Sequence, residues 1–230
     1  SYWPELVQSY NRFAAIEVDY GTVCAQAWRC QAKRAADLSE KSVRDCSLFN
    51  VRQSVGEFCA VWRDQQDWLQ PILDDLDGAL AASQILKDGG SATVGLVQKG
   101  DRKIVIKRYN IKTWWHGLKR FWRPTRAWIS WQAGIRLRAL GIHTPKPLAL
   151  KEERIGPFRK RGYLLVEASD GQDLLELLDG DESVAGVAEN ETELLVKVVA
   201  DIQCLLDVMS RHHISHGDFK ATNLLWDGQL

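Results

Sequence analysis

The run His216-Gly217-Asp218-Phe219-Lys220-Ala221-Thr222-Asn223 constrains this chain more than any other stretch of it. It sits behind a helix-patterned segment, Glu191 to Ser210, whose residues Leu194, Leu195, Val198, Val199, Ile202, Leu205, Leu206 and Met209 form one apolar stripe. That stripe predicts a helix buried against a core, with its end feeding His213-Ile214-Ser215-His216 into the loop. Within the loop, Asp218 can accept the proton of an attacking hydroxyl. Lys220 sets a fixed positive charge beside a transferring phosphate, and Asn223, five residues after the Asp, can ligate Mg2+. The residues after it, Leu224 to Leu230, read as a short strand and an Asp-Gly turn at Asp227-Gly228, so Asp227 is a turn residue and not a metal ligand.

The upstream segments alternate in type. Residues 1 to about 45 carry helical spacing, and Ser47 to Asp64 alternates apolar and polar around Gly56, a hairpin pattern. Residues 65 to 83 return to a helical pattern. Leu86 to Val94 is a turn followed by a β-branched run, in which the pair Gly89-Gly90 lets backbone N–H groups approach an anion without Cβ interference. Arg102 to Tyr109 is an alternating strand containing Lys107, Pro124 to Leu140 is helical, and strands at about 147–152 and 161–168 flank a turn at Gly156-Pro157.

The loop resembles the catalytic loop of eukaryotic-like kinases, in the His-Gly-Asp spelling more typical of small-molecule and sugar kinases of that fold. Val105-Ile106-Lys107 is similar to the kinase strand whose Lys contacts the α and β phosphates of the nucleotide. With the stretch Arg136 to Pro145, a helix end, a Gly stop and a strand entered through Pro145 and Pro147, the chain from about residue 84 to 230 resembles the lipopolysaccharide core kinases, which phosphorylate heptose or 3-deoxy-manno-octulosonate (Kdo).

The resemblance implies an α+β, protein-kinase-like fold: a small β-rich lobe and the start of a helical large lobe, truncated at the C-terminus. Its cofactors are ATP and Mg2+. Asp218 and Lys220 are the implied catalytic residues and Asn223 the metal ligand, with His216 bracing the loop. Lys107, Gly89, Gly90 and Ser91 are implied to hold phosphates, and the backbone of Glu167 and Ala168 to hold adenine at the hinge. The division expected is 1–83 as a helical and hairpin region without assigned role, 84–170 as the small lobe with hinge, and 171–230 as the beginning of the large lobe.

Two features depart from that pattern. Protein kinases fix the strand Lys with a Glu on the next helix, yet Pro124 to Leu140 holds no acidic residue and Ser130 or a neighbour occupies the corresponding place. The second metal-binding Asp is expected roughly fifteen to twenty residues after the catalytic one, and only twelve residues follow Asp218. The chain is therefore expected to be a fragment, with activity belonging to its parent. A pseudokinase that binds core lipopolysaccharide or a protein, and a kinase of another small molecule or of a protein, are the alternative readings.

Net charge is zero, but it is segregated: Arg102 to Lys151 carries thirteen Lys or Arg and no Asp or Glu. Trp114, Trp115, Phe121, Trp122, Trp128 and Trp131 interleave there with Lys112, Lys119, Arg120, Arg123 and Arg126. Aromatics among cations suit an anionic membrane surface or a phosphorylated sugar lipid better than single-stranded nucleic acid, and no nucleic acid is expected as partner. The plainer reading puts half of the Trp residues in a core. No run of eighteen apolar residues and no signal pattern is present, and the five cysteines include no C-x-x-C pair. The expected location is the cytoplasmic face of a Gram-negative inner membrane, bound peripherally.

Overall fold

The computed structural model describes residues 3–13, 18–110, 124–156, 158–178, 188–215 and 217–228. Seven strands make one antiparallel sheet: β1 (Phe49–Gln53), β2 (Glu57–Trp62), β3 (Gln84–Gly89), β4 (Ala92–Lys99), β5 (Arg102–Tyr109), β6 (Pro147–Ile155) and β7 (Phe158–Glu167). Their order is β1-β2-β6-β7-β5-β4-β3. The hairpin read around Gly56 is β1–β2, and the β6–β7 turn follows a left-handed Gly156 at φ 59°. Helix α1 (Trp3–Asn11), α2 (Tyr20–Lys41), α3 (Gln66–Asp74) and α4 (Leu76–Ala81) match the helical spacing read in the first 83 residues.

Both faces of the sheet are covered, because its strands alternate apolar residues toward two separate cores. On one face α3 and α4 bury Leu69, Ile72, Leu73, Leu76 and Leu80 against Cys59, Val61, Ile104, Ile106, Leu148 and Leu165. On the other, α5 (Arg126–Ala139) buries Ala127, Trp131 and Ile135 against Phe49, Phe58, Ala60, Leu150 and Leu164. The helix lies close because its neighbours are small. A Cβ on Gly134 would stand 2.5 Å from Pro147 Cγ, and one on Gly162 would stand 2.8 Å from the Ala127 Cβ. Since Ile104 and Ile106 face α3 and α4 while Val105 and Tyr109 face α5, Lys107 lies on the α5 side.

The sheet and both cores run through position 83/84. β2 pairs with β6 from Glu57↔Glu153 to Val61↔Ala149, so the early hairpin extends the later sheet. Helix α2 in turn braces α5: Ser39 Oγ donates to Gln132 O (3.1 Å), Gln132 Nε2 to Ser39 O (3.2 Å) and Trp131 Nε1 to Ser42 O (3.2 Å).

Beyond β7 come β8 (Gln172–Asp173), α6 (Leu174–Leu178), α7 (Ala188–Arg211) and β9 (Leu225–Trp226), which pairs with β8. Leu174, Val198 and Trp226 form a third core, with Leu194 and Ile202 packed on it. The stripe of α7 is only partly buried: Leu195, Val199 and Leu206 are 47%, 51% and 45% exposed. The described elements cover one flank of the helix and leave the other bare, so the sequence expectation of a fully buried stripe fails there. His213 takes a left-handed φ of 52°, and Ile214 N donates back to Met209 O (2.8 Å).

Candidate active site

The loop between α7 and β9 gathers its three chemistry-bearing side chains. Lys220 Nζ lies 3.2 Å from Asp218 Oδ2. Asn223, ending a 3-10 turn at Ala221–Asn223, donates from Nδ2 to Asp218 O (2.8 Å) and Oδ2 (3.0 Å). With its NH2 group so engaged, Asn223 presents its carbonyl oxygen, the hard donor that Mg2+ takes. The residues present thus fit a hard divalent cation, which Asn223 Oδ1 would hold. Strand β9 holds the loop from below: Leu174 N donates to Leu224 O (3.0 Å), and a Cβ on Gly171 would stand 3.0 Å from the Trp226 backbone. Asp227, read as a turn residue, sits 3.7 Å from His143 Nδ1. His216 lies outside the described residues.

Gly89 ends β3 and pairs with Ala92, and Gly90 and Ser91 form the turn between β3 and β4. Neither glycine has a positive φ, so the backbone shape does not require them. What distinguishes Gly90 is open space, with no atom within 4 Å of where a Cβ would stand, which leaves its backbone approachable by an anion. The turn is braced by Asn110, which belongs to none of the motifs. Asn110 N donates to Ser91 O (3.1 Å) and its Nδ2 to Gly89 O (3.4 Å). An Asn three residues past the strand Lys was the available signal, since Asn side chains bond to nearby backbone at turns. Asn110→Ala should raise the KM for ATP roughly fivefold, about 1 kcal/mol, with the KM of the acceptor unchanged. Initial rates at varied ATP and varied acceptor separate the two.

Lys107 pairs across β4 with Val94 and across β7 with Leu164, which sets it beside the strands that carry the turn and the hinge. Burial pushes its ammonium pKa below the ordinary 10.5. Among the described residues it has no carboxylate partner. Ser130 of α5 bonds to the Tyr109 hydroxyl instead (3.3 Å). The folded chain therefore holds Lys107 charged at a penalty that is full below its depressed pKa and fades as pH rises through that pKa toward 10.5. Lys107→Met should raise the ligand-free unfolding temperature at neutral pH, flatten the rise of stability on the alkaline side, and abolish the stabilisation that ATP gives. Thermal unfolding with and without ATP measures all three.

At the far end of β7, Glu167 N donates to Lys146 O (2.9 Å) and Ala168 N to Lys103 O (3.1 Å). Both N–H groups are thus committed to the sheet, and the next backbone donors along the hinge belong to Ser169 and Asp170. Of the basic, Trp-rich block, Trp131 is fully buried and Trp128 packs on Phe58 at 4.7 Å, while Arg126 is exposed. Trp114, Trp115, Phe121, Trp122, Lys112, Lys119, Arg120 and Arg123 lie outside the described residues.

A large antiparallel sheet with one helix on the strand-Lys side, followed by a helix leading into a His-Gly-Asp loop, defines the kinase-like fold. The model of the lipopolysaccharide kinase (Kdo/WaaP) family matches residues 85–230, and the chain belongs to that family. Among solved structures, "WaaP in complex with acyl carrier protein" is similar at 18% identity and a TM-score of 0.42, over 67% of this chain and 56% of that one. The chain thus spans little more than half the length of that structure. No curated protein sequence matches it significantly.

Proposed function

We propose that the full-length protein is an ATP-dependent kinase that phosphorylates a sugar hydroxyl of the lipopolysaccharide inner core, a heptose or Kdo, at the cytoplasmic face of the inner membrane. The observation that carries this reading is the Asp218–Lys220–Asn223 constellation in a chain of the lipopolysaccharide kinase family. The acceptor hydroxyl oxygen forms a bond to the γ-phosphorus of ATP while the bond to the β-γ bridging oxygen breaks, releasing ADP. The Asp218 carboxylate orients the hydroxyl and takes its proton. Lys220, 3.2 Å from Asp218 Oδ2, stabilises charge on the transferring phosphoryl, and Lys107 holds the α and β phosphates. Bound Mg2+ neutralises phosphate charge, and Asn223 Oδ1 supplies its protein ligand. The thirteen cations between Arg102 and Lys151 fit an anionic glycolipid acceptor and an anionic membrane surface.

A new phosphomonoester signal in the 31P spectrum of purified, deacylated core oligosaccharide after incubation with ATP and Mg2+ tests the acceptor class. A signal on other sugars or on protein only would move the assignment away from the inner core. One observation favours a second reading, a pseudokinase that binds without turnover: the missing carboxylate beside Lys107 among the described residues. Such a protein would bind ATP or core oligosaccharide and give no phosphomonoester.

A further inference from the structure

Two hairpin turns meet at one end of the sheet and hold apolar side chains out to solvent. Arg154 N donates to Gly56 O (2.7 Å) and Gly156 N to Val55 O (3.0 Å), so the β1–β2 turn is fastened to the β6–β7 turn. Val55 is 77% exposed, Ile155 55%, and Phe158, the cross-strand partner of Ile155, 42%. Turns ordinarily carry polar residues and glycine, and Val55 and Ile155 belong to none of the three cores. Arg52 and Lys160 stand exposed on the strands that carry this tip and face no carboxylate among the described residues, while Arg161 is paired with Asp77 (3.0 Å). The carboxylates nearby are already answered by partners: Glu152 by Arg154 (2.8 Å) and Arg159 (3.2 Å), Glu57 by Lys151 (3.4 Å), and Glu153 by the Tyr163 hydroxyl (3.2 Å).

The tip also shares its direction with the phosphate-covering turn. Ala92, which follows that turn, pairs with Tyr109, and Tyr109 pairs with Gly162. Gly162 lies four residues from Phe158 on β7, about 13 Å at strand spacing, whereas Glu167 ends the same strand about 30 Å from the tip. The turn and the tip therefore lie at the same end of the sheet, and the hinge at the other.

We propose that this tip is a membrane-contact element, with Val55, Ile155 and Phe158 entering the interfacial layer of an anionic bilayer while Arg52 and Lys160 meet headgroup phosphates. The phosphate-covering turn then faces the bilayer that holds the acceptor, so this inference rests on the proposed glycolipid acceptor. Arg52 and Lys160, which face no carboxylate among the described residues, favour an anionic lipid surface as occupant over an apolar protein face.

Sedimentation of the full-length protein with vesicles of phosphatidylethanolamine and phosphatidylglycerol tests the proposal, with phosphatidylcholine vesicles as the neutral arm. Wild type should sediment with the anionic vesicles and weakly with the neutral ones. The double variant Val55→Asp with Ile155→Asp should bind the anionic vesicles at least about tenfold less, as expected for losing two inserted aliphatic side chains. Its unfolding temperature and its transfer to soluble core oligosaccharide should be unchanged, since both positions are exposed and far from the reacting groups. Equal retention of variant and wild type overturns the proposal. So does wild type that ignores anionic vesicles, or a variant that alters only the self-association of the protein. If wild type phosphorylates no core oligosaccharide, the kinase reading fails, while vesicle binding still reads the tip on its own.

Discussion

Trp131→Ala is expected to lower the stability of the fold by about 3–5 kcal/mol, the range for truncating a fully buried large aromatic side chain. Trp131 is 0% exposed and stands where three elements converge. It belongs to α5, its ring meets Phe49 of β1 edge-on at 6.0 Å and 75°, and its Nε1 donates to Ser42 O at the end of α2. The substitution therefore opens a cavity and leaves a buried carbonyl without its donor, and the two losses add. Ile129→Ala, on the same helix and 56% exposed, should change stability by no more than about 0.5 kcal/mol. Urea unfolding followed by Trp fluorescence or circular dichroism compares the two. Equal effects would mean that α5 is not anchored as described. Because α5 packs beside Lys107, loosening it should also weaken ATP binding before the fold is lost.

The elements that were legible in the sequence are those whose side chains announce their surroundings. The β1–β2 hairpin followed from alternation around Gly56, the β6–β7 pair from the Gly156-Pro157 turn between two strand segments, and α5 from its spacing and its Gly141 stop. The Asp218, Lys220 and Asn223 grouping was legible because a short loop fixes its own geometry. What stayed illegible were relations between distant segments. Nothing in Glu57 to Trp62 says that it pairs with β6 some ninety residues later, so the unity of the sheet across position 83/84 had to come from the structure. A helix stripe likewise states that a face is apolar without naming its cover, which is why Leu195 and Val199 were expected inside and stand exposed. Trp residues among cations left a surface and a core open as readings, and Trp131 and Trp128 serve the core, because residue type alone does not say which side of a helix faces the sheet. The engagement of the Glu167 and Ala168 N–H groups by the sheet is a matter of register, which one strand's sequence does not contain.

Asp218→Asn carries the largest expected effect on activity. The swap keeps an oxygen that Asn223 Nδ2 can bond and removes the charge and the basicity. Loss of a general base of this kind lowers rates by about 10^2–10^4-fold. The ion pair with Lys220 is exposed on both sides, with the two side chains 56% and 68% accessible, so its loss should hardly move the unfolding temperature. ATP affinity should also hold, because the turn at Gly89 to Ser91 and Lys107 are untouched. A fall in transfer with unchanged stability and unchanged ATP binding is thus the signature of a base. A fall in all three would instead mark Asp218 as a brace of the loop.

Phosphate transfer to a core sugar by Asp218, Lys220 and Asn223 can be read in a single-turnover assay of the full-length protein, with labelled γ-phosphate of ATP and purified core oligosaccharide, run beside the Asp218→Asn variant with bound ATP measured in the same samples. Label is expected on the oligosaccharide with wild type, and with the variant bound ATP but transfer lowered by at least about 10^2-fold. Equal transfer by both proteins, or wild type that binds ATP and leaves the oligosaccharide unlabelled, would overturn this role for Asp218.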